Sequence, residues 1–141
     1  MQRLLLDQNL AREIELAEAH AAVACVEKLR EQQPAAGGAI EPVAGGYALY
    51  CGANSPVTQA IGLGLSGSIS AEEFDRLEMF YFNREEPVRV ETCPLADASL
   101  FEHYGQRGYR VTEFSNVMAR RVVLVPSVNP NYIEVRKAER E

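Results

Sequence analysis

The stretch from Ser99 to Arg120, SLFEHYGQRGYRVTEFSNVMAR, constrains the fold more than any other part of the chain. It opens with helix formers, meets Gly108, and continues as a run rich in strand-forming residues. Glycine enters the left-handed backbone region without a Cβ clash, so it is the expected C-terminal stop of a helix. Tyr104 stands four residues before that glycine and Tyr109 directly after it. A short helix, a glycine stop and a strand in immediate succession form the kind of connection that builds α/β layers.

Upstream, apolar residues at Leu6, Leu10, Ile14, Ala17, Ala21, Cys25 and Leu29 recur in steps of three and four. That spacing is one face of a helix over about 7–33, with Arg12, Glu13, Glu15, Glu18 and Lys28 mostly on its wet sides. A single long helix and a bent pair fit the pattern equally. Pro34-Ala-Ala-Gly37-Gly38 ends it. Strands are expected at Ala39–Val43 and 47–51 around Ala44-Gly45-Gly46, a three-residue hairpin signal. A third is expected at 60–65, where Ile61, Leu63 and Leu65 alternate with glycines. Alternation implies one buried face, and the glycines imply close approach by another backbone or a ligand.

Ser70-Ala-Glu-Glu73 is a capping box, so a second helix starts there and runs toward Pro87 with Phe74, Leu77, Glu78 and Tyr81 on one face. A strand follows over 88–93. The helix before Gly108 has two rival caps, Asp97 and Ser99. Strand-rich sequence then spans 109–125, and Pro126-Ser-Val-Asn-Pro130 reads as a linker. The order is helix, three-strand meander, helix, strand, helix, strand, which is an α/β arrangement with a mixed sheet.

The 141 residues suit one domain, and 47% apolar with 24% charged residues is an ordinary globular composition. The formal charge of −6 and the lack of a basic stripe argue against nucleic acid or an anionic membrane as partner. Cys25, Cys51 and Cys93 show no metal-ligand spacing, so no metal is expected and the thiols read as buried. Leu4-Leu5-Leu6 is too short for a signal-peptide core and no apolar run reaches membrane-spanning length, so a cytoplasmic protein is expected.

The turn Tyr104-x-x-x-Gly108-Tyr109 resembles the closing segment of the GNAT N-acetyltransferase superfamily, where such a turn joins the last helix to a strand of the split sheet. The resemblance implies a GNAT-like (acyl-CoA N-acyltransferase) α/β fold over 1–125. That fold has a mixed central sheet, a long N-terminal helix and two further helices, and lacks the family's usual first strand. Ile133-x-Val135-Arg136-x-Ala138 resembles the opening strand of a GNAT domain, so 126–141 reads as a linker and the possible start of a second one. The implied function is the non-catalytic N-terminal half of a tandem N-acetyltransferase, packing against a catalytic half and shaping its substrate cleft. Two rivals stay open: an autonomous acetyl-CoA-dependent N-acetyltransferase acting on a small amine, and a homodimeric small-metabolite binding module.

The same resemblance points to site residues. Tyr104 matches the family tyrosine that protonates the departing CoA thiolate in many members; as a residue it reads equally as core packing beside Phe101 and Tyr109. Gln59-Ala-Ile-Gly62-Leu-Gly64 matches the family's pyrophosphate string, in which bare N–H groups at a strand-to-helix junction hold the phosphates. Five residues separate Gly64 from the Ser70 cap, so a glycine-rich strand is the favoured reading and acetyl-CoA is not expected to bind this chain alone. A helix start at Gly64 would mark the enzyme, and strand pairing through Leu65 the non-catalytic half. Asp97 stands where the family carries an asparagine. Glu91 is a candidate to orient an acceptor amine, or an edge-strand charge that discourages wrong pairing. His20 and His103 have no carboxylate partner at catalytic spacing.

Overall fold

The structure, a computed structural model, describes residues 7–120. Helix α1 (Gln8–Gln32) is one continuous run capped by Asp7, whose carboxylate accepts from the Leu10 N–H at 2.8 Å. A 3-10 turn at Pro34–Ala36 ends at left-handed Gly37 and leads into the sheet.

Strands β1 (Ala39–Val43) and β2 (Gly46–Tyr50) form an antiparallel hairpin with Val43 opposite Gly46. Its turn is two residues long, Ala44 (φ 52°) and Gly45 (φ 80°), the double positive φ of a type I′ connection. The expected three-residue loop loses Gly46 to the strand. A Cβ there would overlap the Ile61 carbonyl oxygen and sit 2.6 Å from the Gly62 carbonyl carbon, so only glycine allows the next segment to lie this close.

Strand β3 is Ala60–Ile61 alone, antiparallel to β2 with Ala48 opposite Ala60 and Tyr47 opposite Ile61. The longer strand expected over 60–65 is broken by Gly62 (φ 77°) and Gly64 (φ 71°), which turn the backbone out of the extended region. Leu63 and Leu65 are nevertheless buried, so the apolar alternation there belongs to a buried loop. The strand expected over 88–93 shrinks to one parallel bridge, Val90 beside Ala60. The Ala60 N–H donates to Arg89 O and the Glu91 N–H donates to Ala60 O, each at 2.8 Å.

Helix α2 (Ala71–Phe82) starts with both bonds of the capping box in place between Ser70 and Glu73. Helix α3 (Ala98–Arg107) is capped by Asp97 and stopped by Gly108 at φ 74°. The helices take opposite faces of the sheet. Ala19 and Val26 of α1 pack on Leu49 and Ile61. Phe74, Leu77 and Tyr81 of α2 and Leu100 of α3 pack on Val43, Ala48, Ala60 and Leu63. Tyr81 ties α2 to the sheet, its hydroxyl accepting from the Leu49 N–H at 3.1 Å. The chain is thus a mixed α/β structure with three helices and a small three-stranded antiparallel sheet among the described residues.

Strand-rich sequence after Gly108 forms no strand over residues 109–120. A strand needs a neighbour to complete its ladder. None of the described elements supplies one here, and Phe114 and Met118 stand 91% and 93% exposed. Residues 121–125, the linker at 126–130 and the strand-like run at 132–141 lie outside the described residues. The cysteines differ from expectation as well: Cys25 is exposed, and Cys51 and Cys93 are half-buried.

Candidate functional site

Strand alternation assigns the candidate residues to two sides of the sheet. Val90 packs on the α2/α3 side, so Glu91 faces α1. Thr92 returns to the α3 side, where its Oγ1 lies 2.8 Å from the Tyr104 hydroxyl. Glu91 and Tyr104 therefore stand on opposite faces, and the structure does not bring them together.

Tyr104 sits in an aromatic group. Its ring stacks on Tyr109 at 5.1 Å and meets Phe74 and Phe101 edge-on at 6.0 and 6.1 Å. Burial pushes its phenol up to about 12, partly offset by the Thr92 hydrogen bond, so it stays protonated at neutral pH. The group is locked from outside by Arg107, whose guanidinium reaches Asp75 and Glu78 at 2.6 Å each. The Tyr109 hydroxyl donates to the same Glu78 at 3.1 Å. His103 stacks on Phe74 at 4.9 Å and holds its Nε2 3.0 Å from Ile69 O.

The glycine segment lies between the hairpin and α3. Gly62 and Gly64 are both buried. The Gly64 N–H donates to Ala44 O at 3.0 Å, and Gly64 O accepts from the Asp97 N–H at 2.8 Å. Asp97 also uses its carboxylate locally, accepting from the Ser99 N–H and hydroxyl at 3.0 and 2.7 Å, which holds its pKa below the usual range. Six residues separate Gly64 from the first residue of α2, so no helix starts at the glycines. Neither expected marker is met: the helix does not begin at Gly64, and strand pairing does not run through Leu65.

Gln59 points to the α1 side, where its Nε2 donates to Glu91 Oε2 at 2.8 Å. Burial, then the nearby Glu18, raises the Glu91 carboxyl above the ordinary range, while the Gln59 bond lowers it. Behind this pair lies Glu15, which the helical periodicity puts on a wet flank. It is only 7% exposed, and its Oε2 has no hydrogen-bond partner among the described residues. Burial first, then Glu91 and Glu18, push its carboxyl up to about 7.

Glu15 is the residue that sequence reasoning missed. The buried stripe of α1 is Ala11, Glu15, Ala19 and Val26, rotated from the face marked by Leu10, Ile14, Ala17 and Ala21. Small residues at 11 and 19 let the helix approach the sheet and carry the glutamate between them inward. Alanines four residues to either side of a helical Glu were the available signal. Among the described residues no group of His, Cys, Asp and Glu is arranged to hold a metal ion, and no helix is long and apolar enough to cross a membrane.

Neither the family models, nor the curated proteins, nor the solved structures contain a match to this chain.

Proposed function

We propose that the chain is a GNAT-like domain that does not hold acetyl-CoA itself and serves as the non-catalytic half of an N-acetyltransferase, packing on a catalytic half and shaping its substrate cleft. The observation that carries this reading is the state of Gly64. Its N–H is already given to Ala44 and its carbonyl to Asp97, so the last glycine of the string has no N–H left to give a pyrophosphate. The start of α2 is no substitute, because Glu72 and Glu73 fill its first turn. Two carboxylates there oppose the positive end of the helix dipole and repel an anion.

The GNAT-like fold is supported by element order: long helix, antiparallel meander, helix, parallel bridge, helix, and the glycine-stopped turn at Gly108. The exposed apolar side chains of Val111, Phe114 and Met118 suit a surface that a second domain covers. Calorimetric titration of the chain with acetyl-CoA tests the reading. No saturable heat is expected up to about 1 mM ligand. Micromolar binding that Gly62→Val abolishes would refute it and establish the glycine loop as a cofactor site.

A further inference from the structure

The two edges of the sheet are built differently. On one side β1 is the outer strand, and it is guarded. Pro42 has no N–H to offer, its carbonyl accepts from the Arg76 guanidinium at 3.4 Å, and Arg76 also pairs with Glu41. On the other side the segment 88–93 lies outermost. The Ala60 N–H donates to Arg89 O and the Glu91 N–H donates to Ala60 O, so the N–H and C=O groups of Val88, Val90 and Thr92 point away from β3. Among the described residues no backbone group pairs with them. Apolar surface flanks this open edge. Phe101, 42% exposed, meets the Tyr104 ring edge-on, the Tyr104 hydroxyl reaches Thr92, and exposed Leu95 follows Pro94.

The same chain carries a strand without a sheet. Tyr109 is held by its stack on Tyr104 and its bond to Glu78. Every residue from Arg110 to Arg120 is then exposed, in a run without helix, turn or bend. None of them has positive φ. At about 3.3 Å per residue such an arm reaches roughly 35 Å, beyond the body of a domain this size. It does not fold back on its own edge. Arm and edge complement each other in charge. The arm has Arg110 and Arg120 against Glu113, whereas 85–97 has Glu85, Glu86, Glu91 and Asp97 against Arg89. They complement each other in area too. Val111, Phe114, Val117 and Met118 are all exposed, and two arms docked reciprocally with the edges beneath them reach the roughly 1,200–2,000 Å² of a stable interface.

We infer that two copies of this chain exchange arms: a strand from within residues 110–118 of one copy pairs with the open edge at Val88, Val90 and Thr92 of the other. The exchange is reciprocal, so both edges close and assembly stops at a dimer. The inference rests on the covered-surface part of the function proposed above and names what covers it. It does not rest on the acetyl-CoA part, so the titration with acetyl-CoA and the experiment below fail independently.

The test combines sedimentation of the full chain with amide hydrogen exchange read by NMR, each between about 5 and 500 µM protein, a range that brackets micromolar association. A monomer–dimer equilibrium is expected, with the Val88, Val90 and Thr92 amides protected in the dimer and fast-exchanging on dilution. Phe114→Glu combined with Met118→Glu lies in the exposed arm and leaves the fold intact. It is expected to weaken the dimer at least about 100-fold, the scale of two buried anchor side chains. A monomer throughout the range overturns the inference. So does a dimer that leaves the three amides unprotected, or one that the double variant does not weaken. Protection that is independent of concentration overturns the second-copy assignment, because it means that the chain closes its own edge.

Discussion

Replacing Glu15 by glutamine should stabilise the protein above neutral pH and leave it nearly unchanged in mild acid. The carboxyl rises from an ordinary 4.5 to about 7, chiefly through burial. The folded state therefore holds the proton more tightly than the unfolded state. Stability from this group is fully present below about 4.5 and is lost as pH rises through about 7. At roughly 1.4 kcal/mol per pH unit the full penalty is about 3.5 kcal/mol, and solvent screening at this partly accessible group trims it to about 2 kcal/mol. Glutamine keeps the shape and removes the titration. Urea unfolding of both proteins at several pH values between about 5 and 8.5 measures the difference, and other carboxylates cancel in the comparison. The variant should gain about 2 kcal/mol on the wild type across that range. Parallel stability profiles would refute the reasoning, because they would mean that Glu15 ionises in the folded chain as it does in the unfolded one.

Two further substitutions probe the frame that holds the site. Gly46→Ala brings a methyl group against the Ile61 and Gly62 backbone, which no rotamer change relieves, and should cost about 2–3 kcal/mol in chemical denaturation. Tyr81→Phe removes the hydroxyl between α2 and Leu49 while the Leu49 N–H keeps Gln59 O at 3.1 Å, so the loss should be about 1 kcal/mol by the same assay.

Much of the frame was legible because it is written in local chemistry. The Ser70–Glu73 box and Gly108 each act within a few residues of themselves, and each marks its helix end in the structure. Between the rival caps at 97 and 99, Asp97 takes the position and Ser99 becomes its donor. The strands were less legible. β3 shortens to two residues because positive φ at Gly62 and Gly64 overrides the apolar alternation, and the segment at 88–93 has only β3 to pair with. Residues 109–120 carry strand composition, but composition cannot supply the neighbour that a ladder requires.

The candidate site was half legible, and the division has a physical cause. Glu91 reads as a strand charge and Gln59 as part of the glycine string, and the structure joins the two by a hydrogen bond that neither reading contains. Glu15 escaped because helical periodicity weighs large apolar side chains, whereas α1 meets the sheet through alanines. A face built from Ala11 and Ala19 has little hydrophobic signal but brings the helix closest, and whatever stands between the alanines is buried with them. The glycine string shows the converse. Gln59, Gly62 and Gly64 match a phosphate-binding pattern letter for letter, yet their environment assigns different tasks. Gln59 serves a carboxylate, Gly62 turns the chain, and Gly64 hydrogen-bonds to the hairpin turn and to the α3 cap. A phosphate site needs donors that are free and a helix that begins beside them, and neither requirement is contained in the letters. The property that separates a cofactor loop from a structural turn is where the N–H groups go, and Ala44 already takes that of Gly64.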